Sequence, residues 1–156
     1  GSKLLIPVSV EGALYSVGDG HFAQGDSECC ITAIEIGATA IVRFNVLKKG
    51  THNLNMRFPR FSHQGYFTSP EWAVPSNFTA TIGLPIREDG TQAGEDLTLA
   101  AKNALLNMID LLQERGWSRS QAYIICSVCV DLKISNAVDL PNVTVSAFLP
   151  EDIFEK

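Results

Sequence analysis

The pattern of hydrophobic and polar positions along the chain changes near residue 95. Upstream of that point, short runs rich in β-branched residues predict strands. These runs cover residues 3–10, 13–17, 29–36, 39–46 and 78–84. The third and fourth runs flank Gly37-Ala38 and alternate in part between apolar and polar residues, which is typical of a half-buried antiparallel hairpin.

Downstream of residue 95, apolar residues recur every three or four positions, which predicts one amphipathic helix. Its stripe consists of Leu97, Ala101, Ala104, Leu105, Met108, Leu111 and Leu112. Glu95 and Asp96 are expected in the first turn and Arg115 in the last, where each charge suits the helix dipole. Gly116 is expected to stop the helix.

A second helix is predicted to begin at Ser118-Arg119-Ser120-Gln121, which matches the capping-box pattern, and to run to about Val130. Residues 142–149 then predict a final strand. Because strands and helices are segregated along the chain, the order indicates an α+β fold. We expect mainly antiparallel sheets, arranged like a β-sandwich or jelly roll, with two helices near the carboxy terminus.

Composition narrows the class of protein. The chain has 156 residues, 46% of them hydrophobic and 19% charged, which excludes a disordered or fibrous chain and fits one domain over residues 1–156. With 12 basic and 17 acidic side chains the net charge is −5, which disfavours nucleic-acid binding because phosphates require clustered lysines and arginines. No apolar run reaches the roughly 18 residues of a membrane span, and no signal-peptide pattern opens the chain.

The cysteines occur as Cys29-Cys30 and Cys126-x-x-Cys129. The second pair resembles half of a zinc site or a redox motif, but no further Cys/His pair has the spacing to complete a zinc site. It also lies within an apolar stretch, so buried thiols are the favoured interpretation. Free thiols in a chain without a secretion signal predict a soluble protein of the reducing cytoplasm.

Residues 18–28, between the predicted strands, hold three glycines and the densest cluster of ionisable groups in the chain. In extended backbone, Asp19 and His21 project to the same side, and Gln24, Asp26 and Glu28 follow at the same spacing. Carboxylate oxygen and imidazole nitrogen suit zinc or a similar divalent metal. The alternative is a solvated turn in which these side chains bind only nearby backbone amides.

This loop and its surroundings resemble the acetamidase/formamidase family. The matching stretches are Ile6-Pro7-Val8, Glu11-Gly12-Ala13-Leu14, residues 16–28, Gln121-Ala122-Tyr123, Cys126-Ser127, residues 131–135 and residues 150–154. Where the family motif commonly reads Gly-Asp-Gly-Glu, this chain has Gly25-Asp26-Ser27-Glu28, which keeps both carboxylates. The resemblance spans nearly the whole chain.

The resemblance implies hydrolysis of a short linear amide, such as formamide or acetamide, to a carboxylate and ammonia. We expect a metal-assisted reaction, with Asp19 and His21 as ligands completed by a carboxylate from the missing amino-terminal part. Glu28 or Asp26 would act as general acid–base, and Gln24 would orient the amide. A second mechanism uses Cys29 as the nucleophile beside Glu28. Outside catalysis, the chain could be a small-ligand or metal-binding β-domain.

Family members are longer, and their amino-terminal part carries a Gly-Gly-Asn-x-Asp type segment that this chain lacks. The resemblance therefore implies a carboxy-terminal portion whose partners are the missing amino-terminal part and further copies in a homo-oligomer. A third interpretation is an assembly module, one half of a split protein whose exposed apolar edge needs its partner. His52, His63, Phe61, Tyr66 and Trp72 could close over a substrate, but packing or an oligomer contact is the favoured role.

Overall fold

The computed structural model describes residues 1–48, 56–64, 77–137, 141 and 143–155. The chain divides into a first unit, Gly1–Asp19 with Gly37–Val74, and a second unit, Gly20–Ile36 with Pro75–Lys156. Of the residues singled out above, His52, Tyr66 and Trp72 lie outside the described part of the chain.

The second unit is built on a three-stranded antiparallel sheet. Its strands are β5 (Phe78–Gly83), β6 (Asp131–Asn136) and β7 (Thr144–Pro150), in the order β5-β7-β6. The central strand β7 is the most buried because both its edges are paired and its Val-Ser-Ala-Phe-Leu run faces packed neighbours. Strand β6 is not among the predicted strands, although Leu132 and Ile134 alternate with polar residues there.

Two helices cover this sheet. Helix α1 (Leu97–Glu114) packs on β5 and β7, and helix α2 (Arg119–Cys129) packs on α1. Ala104, Met108 and Leu112 of the predicted stripe are buried in the core, and its other four residues pack against it. Ala100 and Ile109 are buried on the same helix, although they are not in the predicted stripe. The fully or almost fully buried core residues are Ala100, Ala104, Met108, Ile109, Leu112, Ala122, Cys126, Val130, Val145, Ala147 and Leu149. The helical stripe and the α+β class are confirmed.

The helix ends follow local chemistry. Asp96 is the N-cap of α1 rather than part of its first turn, and its side chain accepts a hydrogen bond from the Leu99 amide at 2.9 Å. Gly116 adopts a left-handed φ of +96° just after the helix, as the predicted stop requires. Ser118 and Gln121 form the predicted capping box of α2.

The strands upstream of residue 48 are shorter than predicted and pair differently. Strand β2 (His21–Ala23) pairs with β3 (Ile34–Glu35) in the second unit, and β1 (Lys3–Leu5) pairs with β4 (Arg60–Ser62) in the first unit. The predicted hairpin around Gly37-Ala38 is wrong, since residues 37–48 contain no strand. The reason is that β3 takes its partner from within the glycine-rich loop.

Side chains of the first unit are mostly uncovered. Its described residues include no buried side chain, although Tyr15 and Phe44 make an edge-to-face ring contact at 5.1 Å. Large apolar side chains in the first segment alternate along the backbone and are exposed, namely Leu4, Ile6, Val8 and Val10. None of the helices in the described residues combines the length and apolar character needed to cross a membrane.

An ion pair joins the end of α1 to the end of the sheet. Arg115 donates from both terminal nitrogens to Glu151, at 2.9 and 3.0 Å, and Thr79 also donates to this carboxylate. The hydrogen bonds from Arg115, and then that from Thr79, hold the pKa of Glu151 below its ordinary value of 4.5. Both charged side chains are about one-third exposed, at 34% and 31%, so solvent screening limits the effect to about 1 kcal/mol or less.

We expect this pair to make stability depend on pH in the acid range. Because the folded pKa of Glu151 is lowered, its contribution is present above the unfolded value and is lost as pH falls through the folded value. Glu151→Gln should therefore be less stable than the wild type at pH 6, and the difference should shrink below about pH 4. Urea unfolding at pH 6, 4 and 3 measures it, and a difference that grows on acidification would contradict the assignment.

Candidate functional site

Residues 21–23 of the glycine-rich loop form β2, the first arm of the β2–β3 hairpin, and this places His21 opposite Glu35. The imidazole Nε2 lies 3.0 Å from Glu35 Oε2. The His21 side chain is largely buried, with 12% of its surface exposed, whereas that of Glu35 is half exposed at 51%. The pair therefore presents an imidazole and a carboxylate side by side at the surface of the second unit.

Hydrogen bonds from Thr32 and Ala33 fix the orientation of Glu35. Its Oε1 accepts hydrogen bonds from the Ala33 amide at 3.1 Å and from the Thr32 hydroxyl at 3.4 Å. The other oxygen is thus left directed at His21. Glu35 is not among the site residues predicted from the sequence, because its proximity to His21 follows from strand pairing. The alternation of Ile34, Glu35 and Ile36 does indicate a strand that contains Glu35. The sequence pattern predicts this strand, however, as one arm of a hairpin around Gly37-Ala38, which would not place Glu35 beside His21.

Asp19 is the last residue of the first segment of the first unit and precedes His21 by two positions. Its backbone φ is +60°, a left-handed conformation that aspartate tolerates better than most residues. Its role as a ligand, predicted from the sequence, stays a prediction.

The turn between β2 and β3 carries the other predicted residues. The Gln24 side-chain amide donates a short hydrogen bond to Glu28 Oε2, so these two residues are brought together. Glu28 has φ +40° and Ile31, which is 92% exposed, has φ +62°. For a β-branched residue such a φ is a marked outlier.

Asp26 points elsewhere. Its Oδ2 accepts a hydrogen bond from the Leu132 amide at 2.9 Å, so it binds the backbone at the start of β6. The neighbouring Asp131 has a raised pKa, first because it is partly buried and second because of the negative charge of Asp26. This hydrogen bond gives Asp26 a structural partner, while its predicted part in proton transfer stays a prediction.

The four cysteines are free thiols. Burial raises the pKa of Cys126 to about 12 and that of Cys129 to about 11, and it also raises the pKa of Cys29. A thiol held protonated is a poor nucleophile, which weighs against the cysteine mechanism. Among the described residues, no group of three potential metal ligands includes a cysteine.

The donor set of the hairpin fits a divalent metal. An imidazole nitrogen and a carboxylate oxygen already meet at 3.0 Å, and these are ligand types of zinc and related ions. His63, by contrast, directly follows β4 in the first unit, next to the exposed Phe61. Its predicted packing role stays a prediction.

These observations define an α+β protein with two side-chain pairs on one hairpin. A histidine–carboxylate pair joins the two strands, and an amide–carboxylate pair lies in the turn between them. The profile of the acetamidase/formamidase family matches residues 1–156. The chain belongs to this family.

Known proteins give the same relationship. A formamidase of Methylophilus methylotrophus is 32% identical over 157 residues, which are 99% of this chain and 37% of that protein. An acetamidase of Mycolicibacterium smegmatis is 32% identical over 127 residues, 80% of this chain and 30% of that protein. The solved structure of a gamma lactamase from Delftia acidovorans superposes with a TM-score of 0.83 at 32% identity, covering 100% of this chain and 38% of that one. The chain thus spans less than two-fifths of the length of these relatives.

Proposed function

We propose that the polypeptide containing this chain hydrolyses the carbon–nitrogen bond of short linear amides, such as formamide or acetamide, to a carboxylate and ammonia. The observation that carries the proposal is the His21–Glu35 pair at 3.0 Å, in a hairpin whose turn holds the Gln24–Glu28 pair. Two relatives named formamidase and acetamidase support the substrate class. The lactamase relative supports amide cleavage more generally.

Asp19, His21 and Glu35 are proposed as the ligands of a divalent metal, with zinc the first candidate. Asp19 is joined to His21 through Gly20 alone, and two residues of chain span at most about 7 Å, so its carboxylate is within reach of the same ion. Glu35 would supply the completing carboxylate in place of the residue of the missing amino-terminal part that the sequence led us to expect. A bound divalent ion would polarise the amide carbonyl and acidify a water molecule.

Glu28 is the proposed general acid–base. Hydrolysis requires a group that accepts a proton from the attacking water and returns it to the departing nitrogen, which leaves as ammonia. The Gln24 side-chain amide donates a hydrogen bond to the Glu28 carboxylate, which holds it in the turn. The backbone of Glu28 has a φ of +40°. Gln24 retains its amide oxygen to accept a hydrogen bond from the substrate nitrogen. Asp26, bound to the Leu132 amide, would hold the turn in place.

The partner of this chain is proposed to be the remaining part of the longer polypeptide. The relatives are more than twice as long, and the exposed apolar row of the first unit, Leu4, Ile6, Val8 and Val10, resembles one face of a strand that lacks its cover. We propose that covering this row completes the antiparallel sandwich expected from the sequence. Homo-oligomerisation and a cytoplasmic location, consistent with four free thiols, are proposed with it.

The test is ammonia release from formamide, acetamide and a γ-lactam. We expect turnover when the chain is produced together with the amino-terminal part that its longer relatives possess. We expect a linear amide to be the best substrate. The control is the same complete polypeptide with Glu28→Gln. Loss of the general acid–base group should reduce its turnover by about 10²–10⁴-fold.

Zinc binding without ammonia release from any amide, in the complete polypeptide, would instead favour a non-catalytic metal-binding domain, and that result would overturn the proposed hydrolysis.

A further inference from the structure

The turn that joins β2 to β3 rests on the carboxy-terminal half of α2. The Gly25 amide donates to the Ser127 carbonyl at 3.0 Å. A side chain at Gly25 would begin 2.6 Å from the Val130 carbonyl and 2.8 Å from the Cys126 carbonyl, so only glycine allows this close approach. The backbone of the hairpin and the backbone of the helix are therefore in direct contact.

Ser127 holds the second arm of the turn as well. Its side chain is fully buried, its hydroxyl accepts from the Cys30 amide at 3.1 Å, and it donates to the Thr32 carbonyl at 2.7 Å. With the Gly25 contact, this one residue binds both arms of the hairpin. Tyr123, one helical turn earlier, adds a short hydrogen bond from its hydroxyl to the Cys29 carbonyl.

A continuous path of contacts leads from Ser127 to the candidate site. Ser127 binds the carbonyl of Thr32. The hydroxyl of Thr32 and the amide of Ala33 both donate to Glu35 Oε1. The other carboxylate oxygen, Glu35 Oε2, faces His21. Removing the serine hydroxyl leaves two backbone groups without their buried partner. The arm that carries Glu35 then loses its anchor on α2.

We propose that Ser127 is a positioning residue that sets the separation of His21 and Glu35 by fixing the β2–β3 hairpin on α2. The proposal rests on the proposed function for its chemical meaning, since the pair is taken there as a metal-ligand pair. Helix α2 is thereby part of the site's supporting structure, although it contributes no ligand. Partners that orient a ligand typically affect metal affinity by about 10–100-fold.

The experiment compares Ser127→Ala with Ser146→Ala in the complete polypeptide. Ser146 is a matched control because it is also a buried serine of the second unit. Its hydroxyl contacts that of Ser135 at 2.7 Å between β7 and β6, and it makes no hydrogen bond to the β2–β3 hairpin in the described residues. Zinc alone is titrated into each protein by calorimetry. We expect the zinc dissociation constant to rise about 10–100-fold in Ser127→Ala and to stay within about twofold in Ser146→Ala.

A second measurement does not depend on the metal. The Ile36 amide donates to the Gly20 carbonyl at 3.0 Å and reports opening of the hairpin by hydrogen exchange. We expect exchange of this amide to accelerate about tenfold in Ser127→Ala relative to Ser146→Ala, while amides in the middle of α1 change equally in both. If Ser127→Ala fails to fold, Tyr123→Phe replaces it, because the ring is 41% exposed and only its hydroxyl is removed.

The outcomes separate the two ideas. Failure of the wild type to bind zinc would count against the proposed metal site, and the hydrogen-exchange comparison would still decide the role of Ser127. Equal exchange at Ile36, together with equal zinc affinity in the two serine variants, would overturn the positioning role. Weaker zinc binding with faster Ile36 exchange, confined to Ser127→Ala or Tyr123→Phe, would support it.

Discussion

Replacing His21 with alanine is expected to abolish measurable zinc binding and to lower amide turnover at least about 100-fold. His21 is the one nitrogen donor of the proposed ligand group, which otherwise consists of the carboxylates of Asp19 and Glu35. Mutation of a residue that only orients a ligand typically lowers metal affinity or activity by about 10–100-fold. Loss of the ligand itself is therefore expected to have at least that effect. Calorimetric titration with zinc and an ammonia-release assay on the complete polypeptide measure the two effects.

The control for this prediction is His63→Ala. His63 follows β4 in the first unit and belongs to no proposed ligand group in the described residues, so its replacement should leave zinc affinity within about twofold. Glu35→Gln provides a graded comparison, since it keeps an oxygen donor but removes the charge beside His21. Full zinc binding and full turnover in His21→Ala would exclude the metal assignment.

Replacing Gly83 with alanine is expected to lower the free energy of unfolding by about 3 kcal/mol, the upper part of the range for overpacking a core. Gly83 ends β5 where the strand crosses α1, and an added Cβ would lie 2.0 Å from the Ala100 carbonyl oxygen and 2.3 Å from the Ala104 nitrogen. Both are helix backbone atoms, which cannot rotate away as a side chain would. The strand and helix would have to separate.

Urea unfolding followed by circular dichroism measures this change, with Gly37→Ala as the control. Apart from its chain neighbours, no atom of the described residues lies within 4 Å of the position that a Cβ on Gly37 would occupy, so the control should change stability by no more than about 0.5 kcal/mol. A Gly83→Ala protein as stable as Gly37→Ala would mean that β5 and α1 are farther apart than the structure places them. The bond from the Thr81 hydroxyl to the Ala104 carbonyl, at 2.8 Å, lies at the same crossing and should be lost with it.

The carboxy-terminal half of the fold could be predicted from sequence because its signals are local. The stripe of α1 and the capping box of Ser118 with Gln121 both arise from residues three or four positions apart. Strand β6 escaped prediction even though its alternation is equally local. The predicted strands upstream of residue 48 are wrong in extent and pairing because several apolar runs compete for partners, and periodicity does not say which runs pair.

The candidate site divides in the same way. The loop from Gly18 to Glu28 stands out by its dense ionisable residues, and the structure places His21 of this loop beside a carboxylate that was not predicted. That the carboxylate belongs to Glu35 follows from the register of β2 and β3, and could not be inferred from spacing. The raised pKa values of Cys29, Cys126 and Cys129 likewise depend on burial, which the sequence indicated only for the second pair.

By itself, the sequence determined the two helices, the capping box of α2, the stop at Gly116, the family resemblance and the loop of the candidate site, because each of these depends on neighbours along the chain. Only the tertiary structure decided which carboxylate faces His21 and which helix holds the hairpin. The bonds of Ser127 to Cys30 and Thr32 join residues 97 and 95 positions apart. Contacts over such separations form only when the whole second unit packs its core, so no local pattern specifies them.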